Sequence, residues 1–181
     1  MLGKYKHGKP NKEIDVVDLK LAIDTQHLKL RHEAYAVLLY WVGCRRCEPL
    51  EILKEHVIEN DGILEIVIPA KKSGERGGSL DLSLSYYGVE KIREVWIKTK
   101  KGRPLFPFSA KTGYRIVKKL FPKKTPHWFR HNRVTKLRKK LGNELTIDEI
   151  KSFTGIRRDT TIQNYGMKTK AGIHKVSQHL E

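Results

Sequence analysis

Cysteine, long apolar runs and an apolar leader are scarce or missing in this 181-residue sequence. Its two cysteines are too few for the disulfide framework of a small secreted domain. The longest apolar run, Ala34 to Gly43, covers ten residues and is too short to cross a bilayer. The first residues, MLGKYK, lack the apolar centre of a signal peptide. We therefore expect a cytoplasmic protein that makes no use of a membrane.

Acidic residues are absent between Lys98 and Lys140, a stretch that contains 16 Lys and Arg. The rest of the chain holds 21 basic and 20 acidic residues, so this stretch carries nearly all of the net charge of +17. A solvated basic surface is one explanation, but such self-repulsion favours an anionic partner, and nucleic acid is the leading one. The candidate DNA-binding residues in this stretch are Lys111, Arg115, Lys118, Lys119, Lys123, Lys124, Arg133 and Lys136.

The hydrophobic pattern predicts a mainly α (α+β) domain over residues 13–181, preceded by a leader or linker stub over residues 1–12. Two helices are expected first, over Ile14–Leu30 and over the buried run Ala34–Val42, which Gly43 ends. Three short strands follow at His56–Ile58, Ile63–Ile68 and Leu80–Leu84, with Asp61-Gly62 as a hairpin turn between the first two and an exposed loop between the last two. The later helices are expected at Val89–Ile97, Ser109–Leu120, Thr125–Gly142, Thr146–Gly155 and Ile173–Leu180. Pro126 after Thr125 and a capping box of Thr146 and Glu149 mark the starts of two of them.

Three short patterns carry chemistry. His127 and Arg130, three residues apart near the start of a helix, share one face that can hold an anion, although most such pairs are ordinary surface residues. In the segment Gly43-Cys44-Arg45-Arg46-Cys47-Glu48, the arginines follow a buried helix and Glu48 can brace one of them. The third pattern is Thr160 to Tyr165, near the chain's end.

Two other patterns predict no site. Cys44 and Cys47 have CxxC spacing, but the sequence has no second cysteine pair and no βαβ context. We interpret both as small buried residues rather than as metal ligands. The Gly-rich run at residues 74–78 lacks the Gly-Lys-Ser/Thr ending of a phosphate-binding P-loop.

In their order along the chain, these elements resemble the tyrosine recombinase (integrase) family, over residues 13–170. The segment Gly43 to Glu48 resembles the first family box, and Thr125 to His131 resembles the second. The Lys-rich loop near Lys72 is similar to the family's lysine-bearing β-hairpin. The resemblance implies a helical catalytic domain with a small three-stranded antiparallel sheet inserted near its N-terminal third. It implies the catalytic residues Arg45, Lys72, His127, Arg130 and Tyr165, with Glu48 in support.

The resemblance also implies a reaction. The phenol of Tyr165 attacks a DNA phosphodiester and forms a 3′-phosphotyrosyl link, while Arg45 and Arg130 stabilise the charge on the phosphate. Lys72 protonates the leaving 5′ oxygen, although its neighbour Lys71 is an alternative, and His127 assists proton transfer or contacts the phosphate. The link conserves the energy of the broken bond, so neither ATP nor a metal is expected. The partners implied are double-stranded DNA, with association with the nucleoid, and further copies of the chain in a dimer or tetramer.

The sequence departs from the family at two places. Ile156 follows Gly155 where the family usually has His or Trp, so one phosphate contact is either missing or supplied by Arg157. We expect no separate N-terminal core-binding domain of the family within residues 1–181, so the sequence is either a fragment or a minimal form. The leading hypothesis is a site-specific recombinase. A type IB topoisomerase and a catalytically weak DNA-binding module are the alternatives.

Overall fold

The computed structural model describes residues 13–69, 78–140 and 144–154 of the chain. Within them lie six α-helices, three strands and two short 3₁₀ turns. The helices are α1 (Val16–Gln26), α2 (Leu30–Val42), α3 (Val89–Lys98), α4 (Ala110–Leu120), α5 (Pro126–Arg138) and α6 (Ile147–Thr154). The strands are β1 (Val57–Asn60), β2 (Ile63–Ile68) and β3 (Gly78–Ser83), and the 3₁₀ turns cover Glu48–Glu51 and Lys54–His56.

The two N-terminal helices end on left-handed residues. α1 begins with a reciprocal capping box between Asp15 and Asp18 and ends where His27 takes φ 43°. α2 therefore starts at Leu30, four residues before the predicted start at Ala34, and the helix predicted over Ile14–Leu30 is shorter than expected. As predicted, α2 ends at Gly43, whose φ of 64° suits a residue without a Cβ.

The strands form one antiparallel sheet in the order β1-β2-β3, as the sequence predicted. Asp61 and Gly62 join β1 to β2 with φ values of 45° and 77°, the geometry of a two-residue hairpin with two left-handed residues. Leu64, Ile66 and Ile68 face the core, whereas Ile63 and Val67 on the other face are exposed. The first predicted strand is shifted toward the hairpin, and β3 starts two residues before the predicted Leu80.

The core is built around α2, most of whose side chains are fully buried. α3, α4 and α5 all pack against it. The contact with α4 depends on Gly113, because a Cβ there would lie 2.5 Å from the Tyr35 hydroxyl oxygen. α5, the helix that carries His127 and Arg130, thus packs directly on α2, the helix that precedes Arg45.

The last described helices match their predicted starts. Pro126 is the first residue of α5, directly after Thr125, and α5 ends at Arg138 rather than reaching the predicted Gly142. α6 begins with the predicted capping box, in which the Glu149 amide donates to Thr146 Oγ1 at 3.2 Å and the Thr146 amide to Glu149 Oε2 at 2.6 Å. The helix predicted over Ile173–Leu180 lies outside the described residues, as does most of the loop between β2 and β3.

Candidate active site

The site lies where the turn after α2 meets the first turns of α5. Arg45 is fixed at its base, since its amide donates to Glu48 Oε2 at 2.7 Å and its guanidinium to Glu48 Oε1 at 3.2 Å. Glu48 is only 3% exposed, whereas the Arg45 side chain is 40% exposed. A buried carboxylate thus positions a guanidinium that still faces solvent.

Arg130 occupies the other side of this junction. Its side chain is 4% exposed, and its Nη1 donates to the carbonyl oxygen of Gly43 at 3.2 Å. The two elements approach closely at Gly43, where a Cβ would lie 2.8 Å from Arg133 Cβ and 3.4 Å from Arg130 Cα. The predicted arginines, 85 residues apart in the sequence, are therefore held by adjoining segments of backbone.

His127 completes the cluster one turn before Arg130. The pKa of its imidazole is lowered, first because the ring is partly withdrawn from water, and then because the Arg130 and Arg45 charges disfavour a further positive charge. At neutral pH the ring is therefore neutral and can accept a proton. The two motifs predicted Arg45, His127 and Arg130 as site residues. The structure brings these three residues together.

Four predicted site residues lie outside the described part of the chain: Lys72, Ile156, Arg157 and Tyr165. Their roles remain predictions. Cys44 is buried and Cys47 half-buried, and neither is part of a disulfide. In the described ranges, no three His, Cys, Asp or Glu side chains come close enough to hold a metal ion.

The candidate DNA-binding residues divide into four that are exposed and four that are half-buried. Lys111, Arg115, Lys119 and Lys123 are exposed. Lys118 is half-buried, with its Nζ donating to the Pro122 carbonyl at 2.8 Å.

Lys124 is half-buried as well. Its ammonium lies 4.0 Å from the centre of the Trp128 ring, and burial lowers its pKa. This lysine therefore combines a cation–π contact with partial access to a ligand.

Arg133 and Lys136 instead make contacts within the protein. Lys136 Nζ donates to the Ile14 carbonyl at 3.0 Å and lies over the Tyr40 ring. Arg133 packs over Phe153, and burial lowers the pKa of its guanidinium. Both side chains are therefore engaged within the protein, and their role in DNA binding stays a prediction.

Asn132 is a residue near the site that the sequence patterns did not single out. It is 3% exposed, and its Nδ2 donates to the Ile14 carbonyl at 3.0 Å. The same carbonyl accepts from Lys136, so α5 is attached to the segment that precedes α1. No local pattern indicates this contact, because its partners are 118 residues apart.

Within the described residues, no helix is both long and apolar enough to cross a membrane. No protein-family model matches the sequence. No curated protein matches it either.

Solved structures do match. The chain superposes on the XerH site-specific recombinase bound to its difH substrate in a pre-cleavage complex, with a TM-score of 0.70 and 16% identity over 98% of this chain and 57% of that one. XerA recombinase matches with a TM-score of 0.63 and 19% identity, over 99% of this chain and 67% of that one. The Tn1549 transposon integrase in complex with circular intermediate DNA matches with a TM-score of 0.63 and 16% identity, over 96% and 68% of the two chains.

These matches establish the fold. The resemblance to tyrosine recombinases stated from the sequence motifs is confirmed at the structural level, and the predicted fold class is correct. The chain spans little more than half of the XerH chain and about two thirds of the other two. At identities below 20%, the chemistry must be argued from this chain's own residues.

Proposed function

We propose that this protein is a site-specific DNA recombinase that cleaves and rejoins DNA through a tyrosine nucleophile. The observation that carries the proposal is the junction at Gly43. There Arg130 binds the main chain of the turn that presents Arg45, and the Glu48 carboxylate binds both the amide and the guanidinium of Arg45. Two guanidiniums and the neutral His127 imidazole then face one phosphate. Such an arrangement suits phosphoryl transfer, because the reaction places extra negative charge on the non-bridging oxygens.

The choice of arginine at both positions fits this role. A guanidinium stays protonated at any working pH and offers paired donors in a plane, which match two phosphate oxygens. Neither charge needs to be formed during the reaction. A preorganised pair of this kind lowers the barrier without a metal ion, in the manner of an oxyanion hole.

In the proposed cleavage step, the Tyr165 oxygen attacks phosphorus and the bond from phosphorus to the 5′ oxygen breaks. His127 accepts the phenolic proton, since its lowered pKa leaves the ring neutral at the start. Lys72 gives a proton to the leaving 5′ oxygen. The products are a 3′-phosphotyrosyl link and a free 5′-hydroxyl, so atoms and charge balance.

Rejoining reverses these transfers. The 5′-hydroxyl of a second DNA strand attacks the phosphotyrosyl link, and Tyr165 leaves as a phenol after His127 returns the proton. Exchange between two duplexes needs at least two copies of the chain on DNA, so self-association belongs to the proposal. The protein then works in the cytoplasm, on the nucleoid.

The test is a covalent adduct with DNA. Duplexes that carry candidate sites and a nick beside the cleavage position release the short fragment that bears the new 5′-hydroxyl, and this loss traps the intermediate. We expect a protein–DNA band that resists denaturation, and its loss in Tyr165→Phe with DNA binding retained. Adduct formed by the Phe variant would show that the nucleophile is a different residue.

Supercoiled plasmid and labelled duplexes separate the alternative functions. A type IB topoisomerase relaxes supercoiled plasmid without joining strands from different duplexes. A DNA-binding module without activity binds the duplex but forms no adduct. Recombinant joints between two labelled duplexes, together with the adduct, are the result expected of a recombinase.

A further inference from the structure

Arg45 lies between two main-chain carbonyl groups that are attached to neighbouring helices. The carbonyl oxygen of Gly43 accepts a hydrogen bond from Arg130 of α5, at 3.2 Å. The carbonyl oxygen of Arg46 accepts one from the hydroxyl group of Tyr35 in α2, at 2.9 Å. The turn that presents Arg45 is thus fastened to α5 on one side of this residue and to α2 on the other.

Hydrogen bonds inside the turn join Arg45 to Glu48. The amide and the guanidinium of Arg45 donate to the Glu48 carboxylate, and the Glu48 amide donates to the Arg45 carbonyl at 2.9 Å. These bonds fix the shape of the turn but not its place on the fold. Tyr35 lies seven residues before Val42, the last residue of α2. Its bond to Arg46 therefore holds the turn folded back along about 10 Å of the helix.

The Tyr35 side chain is closely enclosed. It is fully buried, and Phe106 and Phe108 pack edge-on against its ring, with 5.8 and 5.3 Å between the ring centres. From α4, Gly113 approaches so closely that an added Cβ would lie 2.5 Å from the hydroxyl oxygen. Burial raises the pKa of the phenol above its ordinary value, so the hydroxyl group stays protonated and remains a donor. A donor enclosed in this way fixes the position of its acceptor.

We propose that Tyr35 is a positioning residue for Arg45, and that Gly113 keeps the Tyr35 hydroxyl group on the Arg46 carbonyl. The inference rests on the proposed function, because it takes Arg45 to stabilise a phosphate during cleavage. Catalysis by such a group depends on its placement, and an error of about 1 Å can cost on the order of a hundredfold in rate. Tyr35 lies ten residues before Arg45 and belongs to none of the motifs that predicted the site.

The hydroxyl group is tested by Tyr35→Phe, which keeps the buried ring. We expect single-turnover cleavage at saturating DNA to slow on the order of tenfold, because the turn is displaced. The affinity for the duplex should stay the same, since no contact with DNA is removed. The matched control is Tyr40→Phe, which takes the hydroxyl group from another buried tyrosine of α2. That group lies 3.4 Å from Lys136 Nζ rather than on the turn. Equal cleavage rates of the two variants overturn the proposal.

The part played by α4 is tested by Gly113→Ala. The added Cβ pushes the Tyr35 phenol away from the Arg46 carbonyl, so cleavage should slow at least as much as in Tyr35→Phe. In the double variant the rate should fall little further than in Gly113→Ala alone, because both changes remove the same hydrogen bond. An unchanged rate in Gly113→Ala overturns the role of α4. Reductions that multiply in the double variant overturn the common route through Tyr35.

Amide hydrogen exchange reports on the turn without any cleavage. Tyr35→Phe should speed exchange at the Glu48 amide, because the turn opens more often once the Arg46 carbonyl is released. Tyr40→Phe should leave this exchange slow. Exchange at the same rate in both variants overturns the positioning role. If exchange speeds up only in Tyr35→Phe and the unaltered protein forms no covalent adduct with DNA, the proposed reaction fails while the attachment of the turn by Tyr35 stands.

Discussion

Arg130 and Gly43 are joined by a buried hydrogen bond of 3.2 Å between a guanidinium and a main-chain carbonyl. The bond links the helix of the second motif to the turn of the first. Arg130 therefore holds the junction together in addition to belonging to the candidate site. Arg45 is held by the buried Glu48 instead, and its side chain stays 40% exposed.

This difference predicts distinct outcomes for the two arginines. Arg45→Lys should slow single-turnover cleavage on the order of a hundredfold, because an ammonium lacks the paired planar donors of a guanidinium. It should leave the free energy of unfolding nearly unchanged, because a cation remains beside the buried Glu48 carboxylate. Arg130→Ala should slow cleavage at least as much and also destabilise the protein by about 1–3 kcal/mol, because it leaves a buried carbonyl without this donor. Denaturant unfolding and cleavage rates on nicked DNA measure the two effects. Equal stability of the variants would contradict the structural task of Arg130.

Gly43→Ala should disrupt the junction from the backbone side. Its φ of 64° and the distance of 2.8 Å from an added Cβ to Arg133 Cβ both oppose a side chain. Gly102→Ala is the matched control, since Gly102 has φ 72° but no atom within 4 Å of the added Cβ. Left-handed backbone strain alone costs about 1–2 kcal/mol of stability. We expect Gly43→Ala to lose clearly more stability than this. If Gly43→Ala and Gly102→Ala lost similar free energies of unfolding in urea, α5 would have shifted to make room for the added Cβ.

Glu48→Gln should lower the cleavage rate while DNA affinity stays the same. The amide retains one acceptor for the Arg45 main chain but loses the charge that orients the guanidinium. Loss of such a positioning partner typically costs on the order of ten- to a hundredfold. Glu94→Gln, which breaks an exposed pair with Lys98, is the control and should change neither quantity. A rate for Glu48→Gln equal to that of the control would show that Arg45 orients itself.

Stability should fall as the pH decreases below about 6.5, the ordinary pKa of histidine. The pKa values of His32, His127 and His131 are all lowered in the folded protein, each first by burial. The unfolded chain therefore binds protons at a higher pH than the folded one, and protonation favours unfolding in this interval. Urea unfolding at a series of pH values measures the slope of the unfolding free energy against pH, and His127→Gln should reduce this slope. A free energy of unfolding that rises toward acid pH would contradict these shifts.

Position 156 provides a test of the motif assignment near the chain's end. If the phosphate contact of the family is missing here, Ile156→His should accelerate cleavage at saturating DNA, and Arg157→Ala should weaken mainly binding. If Arg157 supplies the contact, its removal should slow cleavage nearly as much as loss of a catalytic arginine. Adjacent residues of any α-helix point about 100° apart, so the motif assignment expects only one of the two to face the phosphate. Unchanged rates in both variants would mean that this segment is assigned wrongly.

Local signals in the sequence determined much of the secondary structure. Gly43 after an apolar run, Asp61-Gly62 between alternating strands, Pro126 after Thr125, and Thr146 three residues before Glu149 each act through neighbouring backbone. These signals correctly placed a helix end, a hairpin and two helix starts. They did not place the boundary near His27, because a non-glycine residue in the left-handed conformation carries no local signature.

Tertiary structure decided which side chains of the basic stretch are exposed. Sequence alone treated Lys136 and Arg133 like Lys111 and Arg115, since all four are cations in one basic stretch. Packing of α5 on α2 turned the first two toward the protein interior, while α4 left the other two exposed. The junction at Gly43 arises in the same way, from a contact between residues 87 positions apart. Composition and spacing carry no information about such contacts, because they depend on which helix faces fit together in the core.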